Sequence, residues 1–288
     1  MSPSSHPTIS SQAPWKEPLQ KDIEKLGGAS AEFYLATVTP EHQPRVRCCI
    51  HRGFWANLPE NKHNELQKNP AIYDSDCPVF TTDARMEKTY HLFATGKGHG
   101  DREQSLSGTG GGGPVEAIYW VKDTMTQWRI RGKGWLVSAD DVEDTKDAQN
   151  SGTVTVKAEV GRYMRPKGDH ETQNSDWSWK TEVDNHFENL SPGMRGSFKN
   201  PPPGQPKANG KAEDEELGQK GGHLEDDAQA RKNFRVAIIT PEEVERLDLS
   251  DPEKAKRWLF TLSKEFGGPG GDENSTPNKE WNEVETWP

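Results

Sequence analysis

The sequence predicts a mainly β domain with peripheral helices, built as an antiparallel barrel or sandwich. Three observations predict it: two hairpin signals, a later strand that returns after a long polar stretch, and few segments with helical periodicity. The chain has 288 residues, enough to bury a substantial core. Only 30% of them are hydrophobic, against the usual ~45–50%, and they are diluted by 27 Gly and 21 Pro. A compact domain over 14–266 is therefore expected to carry solvated insertions at 97–113, 140–152 and 200–230. A flexible N-terminus at 1–13 and a tail at 267–288 flank it.

Trp15, Leu19, Ile23 and Leu26 recur at helical spacing, with Ser11 as a cap and Gly27-Gly28 as a stop, so 14–27 reads as an amphipathic helix. Segments 31–39 and 44–55 are short, rich in β-branched and aromatic residues, and joined by a polar turn at 40–43; together they read as a hairpin. PVFTT at 78–82 reads as a strand. Asp83 can cap a following helix on which Met86, Tyr90 and Phe93 share a face, with Gly96 ending it. The stretch 97–113 is rich in Gly and Ser and reads as a mobile loop. Segments 115–121 and 126–137 form the second hairpin. After the polar insertions, 233–240 resumes as a strand and 241–249 turns through a short helix.

A formal charge of −10 opposes binding to polyphosphates and to acidic membrane surfaces. No apolar run approaches the ~18 residues of a membrane span, and the N-terminus lacks a leader pattern. Cys48, Cys49 and Cys77 form neither a C-x-x-C pair nor an even disulfide framework, which suits a reducing, cytoplasmic compartment. There is no P-loop, no G-x-G-x-x-G opening a helix, no G-x-S-x-G elbow and no metal-ligand spacing among the histidines. Ten tryptophans, with Trp177 and Trp179 as stacking candidates, raise nucleic-acid binding as a further reading. The acidic balance opposes it, and a packing role in the core accounts for them.

Three constellations carry chemistry. Arg45, Arg47 and Arg52 lie on one strand, followed by Thr81, Thr82, Arg85 and Lys88 at a strand-to-helix junction. Hydroxyls, helix-start N–H groups and cations are what a phosphate dianion requires. The same residues also fit plain surface charge on half-exposed strands. Strand parity places Arg45 and Arg47 on one face and Arg52 on the other, so all three cannot serve one phosphate without a bulge. Gln127, with Arg129 on its face, offers an amide that both donates and accepts, as the edge of a flavin or base requires, or it is simply an exposed polar position. Arg195 sits in 187–204 between turn residues and a proline run that either lines a site or connects elements.

Taken in order, PRVRCCIHRGF, VFTTDARMEK, VEAIYWVKDTMTQWRIRG, SPGMRGSFKNPPPG and NFRVAIITPEEVERLDL resemble the pyridoxamine 5'-phosphate oxidase-like flavoproteins of the eukaryotic-type branch with a shortened C-terminal region. The resemblance implies a six-stranded antiparallel FMN-binding split barrel, a homodimer with FMN at the subunit interface, and a small-molecule substrate. It implies FMN contacts from Arg47, Arg52, Thr81, Thr82, Lys88, Gln127 and Arg257. Arg85 would supply the cation missing where the oxidases have Arg-Lys and this chain has Glu87-Lys88, and Arg195 would face substrate. The family tryptophan near the flavin falls on about Leu247. The Arg-x-His that grips pyridoxal phosphate falls on Glu253-Lys254-Ala255, so the resemblance implies an oxidoreductase of other specificity, or a non-catalytic flavin-binding module.

Overall fold

The computed structural model describes residues 6–97, 100–142, 151–168, 177–206, 228–271, 276–277 and 280–288. Its centre is a closed ring of six antiparallel strands: β1 (Glu32–Val38), β2 (Pro44–Phe54), β4 (Pro78–Asp83), β5 (Gly110–Val121), β6 (Thr126–Val137) and β8 (Phe234–Asp248). The ring runs β8-β4-β2-β1-β5-β6 and closes by β6 pairing back to β8. A short pair, β3 (Tyr73–Ser75) with β7 (Met164–Pro166), stands apart, while β9 (Lys256–Leu262), β11 (Trp281–Thr286) and β10 (Thr276–Pro277) extend the sheet beyond β8.

Alternation builds the interior. On β1 the buried residues are Phe33, Leu35 and Thr37; on β5 Val115, Ala117, Tyr119 and Val121 alternate inward, and on β6 Thr126, Trp128 and Ile130 do so before the strand becomes buried on both faces over 134–137. The Phe33 and Tyr119 rings stack at 5.1 Å, and Phe33 meets Phe80 edge-on at 5.7 Å. Helix α1 (Lys16–Lys25) buries Leu19 and Ile23, each burial being worth about 1.5–3 kcal/mol, and Trp128 Nε1 donates to its Asp22 at 2.8 Å. Ser11 does not cap this helix. Its backbone N–H and hydroxyl, with those of Ser10, donate to the buried carboxylate of Glu280, while Trp15 packs edge-on against Trp281.

The glycine run ending the expected mobile loop 97–113 belongs to β5, and 102–107 form α3 (Arg102–Ser107), capped by Asp101; residues 98–99 lie outside the described residues. Glycine is needed there because α2 (Glu87–Ala94) crosses close by: a Cβ on Gly113 would meet Thr95 Oγ1 at 2.4 Å, and one on Gly110 the Phe93 ring at 2.7 Å. Missing side chains thus create a packing surface rather than slack. The helix expected at 241–249 is strand: β8 runs on through Pro241, which faces Gly132 at a register shift where no ladder N–H is required. The first half of β8 pairs with β4 and its second half with β9, so one long strand closes the ring and continues outward.

Asp83 does not cap α2, whose N-cap is Met86. Of the expected flexible N-terminus, Ile9 is fully buried and donates its N–H to Arg162 O at 2.8 Å; residues 1–5 lie outside the described residues. The expected tail contributes β11, paired with β9 along its length; 272–275 and 278–279 fall outside the described residues. The same holds for 143–150 and 207–227 of the other insertions. Their described flanks form α4 (Ser151–Gly161) and α7 (Ala228–Asn233). Between α4 and α7 lie α5 (Trp179–Glu188) and α6 (Pro192–Ser197). Trp177 and Trp179 pack on Trp55, Trp177 being buried and Trp179 half-buried. Among the described residues no helix is long and apolar enough to cross a membrane.

Candidate functional site: a cation cluster at the start of α2

Arg47, Cys49 and His51 alternate along β2 on the face that pairs with Leu35, Phe33 and the other interior residues. Phe80 and Thr82 continue that face onto β4, since Phe80 pairs with His51. The chain then turns into α2, whose first turn returns Lys88 to the same place. Its Nζ lies 3.1 Å from Thr82 Oγ1 and 2.7 Å from Met86 Sδ. Lys88 is only 9% exposed. Arg47 is half-buried and spends one nitrogen, Nη1, on the carbonyls of Leu35 (2.9 Å) and Arg45 (3.0 Å).

The electrostatics of this cluster are one-sided. Among the described residues, no carboxylate forms an ion pair with Arg47 or Lys88, whereas Lys16, Arg165 and Arg195, also buried, each have one. Burial lowers the pKa of both Lys88 and Arg47 from the ordinary values. Burial also raises the Cys49 thiol, against the pull of Lys88 and Arg47. Two desolvated cations, a hydroxyl and the positive end of a helix have the chemistry that accepts an anion. Cys49 and Met86, which complete it, read in the sequence only as an unpaired cysteine and a helix-face residue. Strand parity two residues after Arg47 is the signal that finds the cysteine.

The other expected residues sit elsewhere. Thr81 points to the opposite face of β4 from Thr82. Arg85 is committed to Asp83 through Nε (2.9 Å) and Nη2 (2.7 Å) and to the carbonyls of Phe198 and Asn200, so it does not supply the extra cation. Arg52 lies on the other face of β2 from Arg47; it donates to Ala29 O at 3.2 Å and leans on Met194 Sδ, with Nε buried and unpartnered. Arg195 is not on a loop but in α6, 2% exposed and paired at 2.5 Å with the equally buried Glu188 of α5. Its Nη1 is committed to the Glu188 carboxylate and carbonyl, its Nε is buried without a partner, and at this depth the guanidinium is not open to solvent.

Gln127 and Arg257 come together, but on the outside of the barrel. Trp120 pairs with Gln127, Gln127 with Leu247, and Leu247 with Arg257, so the four form one transverse row across β5, β6, β8 and β9. Arg257 is tied to Glu245, which also faces Arg129 at 3.5 Å, and Arg129 pairs with Glu116 at 2.6 Å.

Residues 12–138 match the pyridoxamine 5'-phosphate oxidase FMN-binding domain. Over that stretch the chain is similar to this family. The matched residues carry both hairpins, the cation cluster and Gln127; β8 and β9, with Arg257, lie beyond them. Among solved structures, a pyridoxamine 5'-phosphate oxidase-related FMN-binding protein from Nostoc punctiforme is 18% identical with a TM-score of 0.55, covering 96% of this chain and 100% of its own. That likeness shows the split-barrel fold. PhzG from Burkholderia lata, crystallised with tetrahydrophenazine-1-carboxylic acid, is 12% identical with a TM-score of 0.40, over 98% of this chain and 100% of its own. No curated protein matches the chain.

Proposed function

We propose that this chain is an FMN-binding flavoprotein that acts as an oxidoreductase on a small molecule other than pyridoxamine phosphate. The observation that carries the flavin phosphate is the pair of desolvated cations, Arg47 and Lys88, with no carboxylate ion pair among the described residues and the Thr82 hydroxyl beside them. Each charge-assisted hydrogen bond to a phosphate oxygen is worth about 1.5–3 kcal/mol. When bound, the flavin supplies hydride transfer at N5, and the protein supplies orientation and hydrogen bonds.

A homodimer accounts for the separation of the two groups of expected contacts. Arg47, Thr82 and Lys88 face the interior side of the sheet, whereas Gln127 and Arg257 face outward. A flavin held by its phosphate on one protomer would meet Gln127 and Arg257 of a second copy. The outer face of β2, β1 and β5 supports such pairing: Val46 is 71% exposed and Tyr34 51%, unusual for apolar side chains on neighbouring strands. Free Cys48 is also exposed on that face, consistent with a reducing cytoplasm.

The substrate differs because Glu253-Lys254-Ala255, in the exposed turn before β9, offers no cation–histidine pair, and because Arg195 is locked by Glu188. The same two observations favour, as a second reading, a flavin-binding module without turnover. A visible spectrum of the purified protein, an FMN titration, and an assay of reduced-flavin turnover separate these outcomes. A yellow, dimeric protein that turns over reduced FMN faster than free flavin supports the oxidoreductase. A yellow protein without turnover supports the module. A colourless protein that leaves the FMN spectrum unchanged refutes both.

A further inference from the structure

We propose that Trp120 is the stacking residue for the flavin ring system, so that the row Trp120–Gln127 forms a platform reading a planar heteroaromatic ligand. This deepens the flavin reading above and rests on it.

Trp120 stands out among the ten tryptophans. Trp15, Trp55, Trp128 and Trp281 are fully buried, and Trp135 and Trp177 nearly so. Trp120 is 39% exposed on the outer face of β5, one residue before the strand ends at Val121, and is not at a chain end like Trp287. An indole left more than a third exposed on a paired strand is not something folding requires, since outward positions on this sheet accept charged residues such as Glu116 and Arg129. The place is specific. Trp120 lies directly opposite Gln127 in the β5–β6 ladder, where side chains on one face stand about 5 Å apart.

The flanks of the row define what it holds. Neighbouring strands are about 4.8 Å apart, so a three-ring system resting on Gln127 necessarily overlaps an adjoining strand as well. On the β8 side that strand presents Leu247, half-buried, and beyond it Arg257, tied to Glu245. On the β5 side it presents the open indole of Trp120. One step along the sheet, the Glu116–Arg129–Glu245 ion pairs form a charged border. The other border is the 122–125 turn, with Met125 44% exposed. An exposed ring, an amide that donates and accepts, and charge kept to the edge fit a neutral planar heterocycle better than an anion or an extended peptide.

The test compares Trp120→Ala, Trp120→Leu and Trp120→Phe for binding of FMN and of riboflavin, with light scattering reporting the oligomeric state. Ring stacking predicts that Trp120→Ala and Trp120→Leu weaken both ligands by about fivefold to a hundredfold. Trp120→Phe recovers most of that loss, and bound-flavin fluorescence, quenched in the native protein, rises in the Leu variant. Trp120→Leu keeps the apolar surface, so a dimer that survives in it while riboflavin affinity falls separates stacking from subunit packing. Wild-type riboflavin affinity in Trp120→Leu, or a Phe variant no better than Leu, overturns the proposal while leaving FMN binding intact. If the native protein binds neither flavin, the reading it rests on fails first, and this inference with it.

Discussion

Replacing Lys88 by Met separates binding from folding, because the two should move in opposite directions. In the folded chain the ammonium is almost wholly buried, has only a hydroxyl and a thioether as partners, and stands near the Arg47 guanidinium. Its pKa is lowered on folding, so at neutral pH the charged form is less stable in the native state than in the unfolded one. A methionine of similar shape removes that penalty, and the flavin-free variant should melt no lower than the wild type. Toward a phosphate, the lysine offers at least one charge-assisted hydrogen bond, worth about 1.5–3 kcal/mol. Lys88→Met should therefore weaken FMN about ten- to 150-fold and leave riboflavin, which has no phosphate, almost unaffected. Titration of both flavins by fluorescence, beside thermal denaturation of the flavin-free proteins, reads both effects. A variant that melts several degrees lower and binds FMN as the wild type does would refute the reasoning and make Lys88 a structural residue.

Other consequences follow from the same accounting of buried charge. Arg195→Met strands the Glu188 carboxylate in the interior and should cost about 3–5 kcal/mol in chemical denaturation, whereas adding Glu188→Met should recover most of it; a neutral single variant would contradict the buried pair. Glu182, on α5, has one carboxylate oxygen unpartnered, lies 3.9 Å from a His186 ring whose nitrogens are also unpartnered, and is pushed up to about 7 by burial. Its folded pKa exceeds the unfolded value of 4.5, so its contribution is fully present below that value and lost as pH rises through 7. The wild type should lose thermal stability between pH 6 and 8.5 by more than Glu182→Gln does, measured by melting temperature across that range. Deleting residues 272–288 removes β11, uncovers Trp15 and takes the acceptor from Ser10 and Ser11, with an expected loss of at least about 3 kcal/mol; an unchanged denaturation midpoint would show that the tail is dispensable.

Both hairpins and α1 were legible because each buries one face, and a buried face writes a period of two or near 3.6 into the residues themselves, whereas the strand at 78–82, buried on both faces, showed only as a short apolar run. Parity along β2 likewise separated Arg47 from Arg52. The glycine run was misleading for a physical reason. Composition registers the entropy glycine loses, whereas the proximity of α2, which gives those hydrogens their use, is set by packing across the barrel. Pro241 misled in the same way, since a register shift opposite Gly132 removes the need for its absent N–H.

On its own, the order of residues determined the two hairpins and the strand at 78–82, which face each hairpin strand buries, and that cations and hydroxyls gather around the β4–α2 junction. Only the tertiary structure decided which of those cations are satisfied. Arg85 and Arg195 found carboxylates, one two residues away and the other seven, while Arg47 and Lys88 were brought together without one. Whether a charge is neutralised depends on distances and desolvation within a few ångströms, and those are fixed by strands and helices that meet only after the ring has closed.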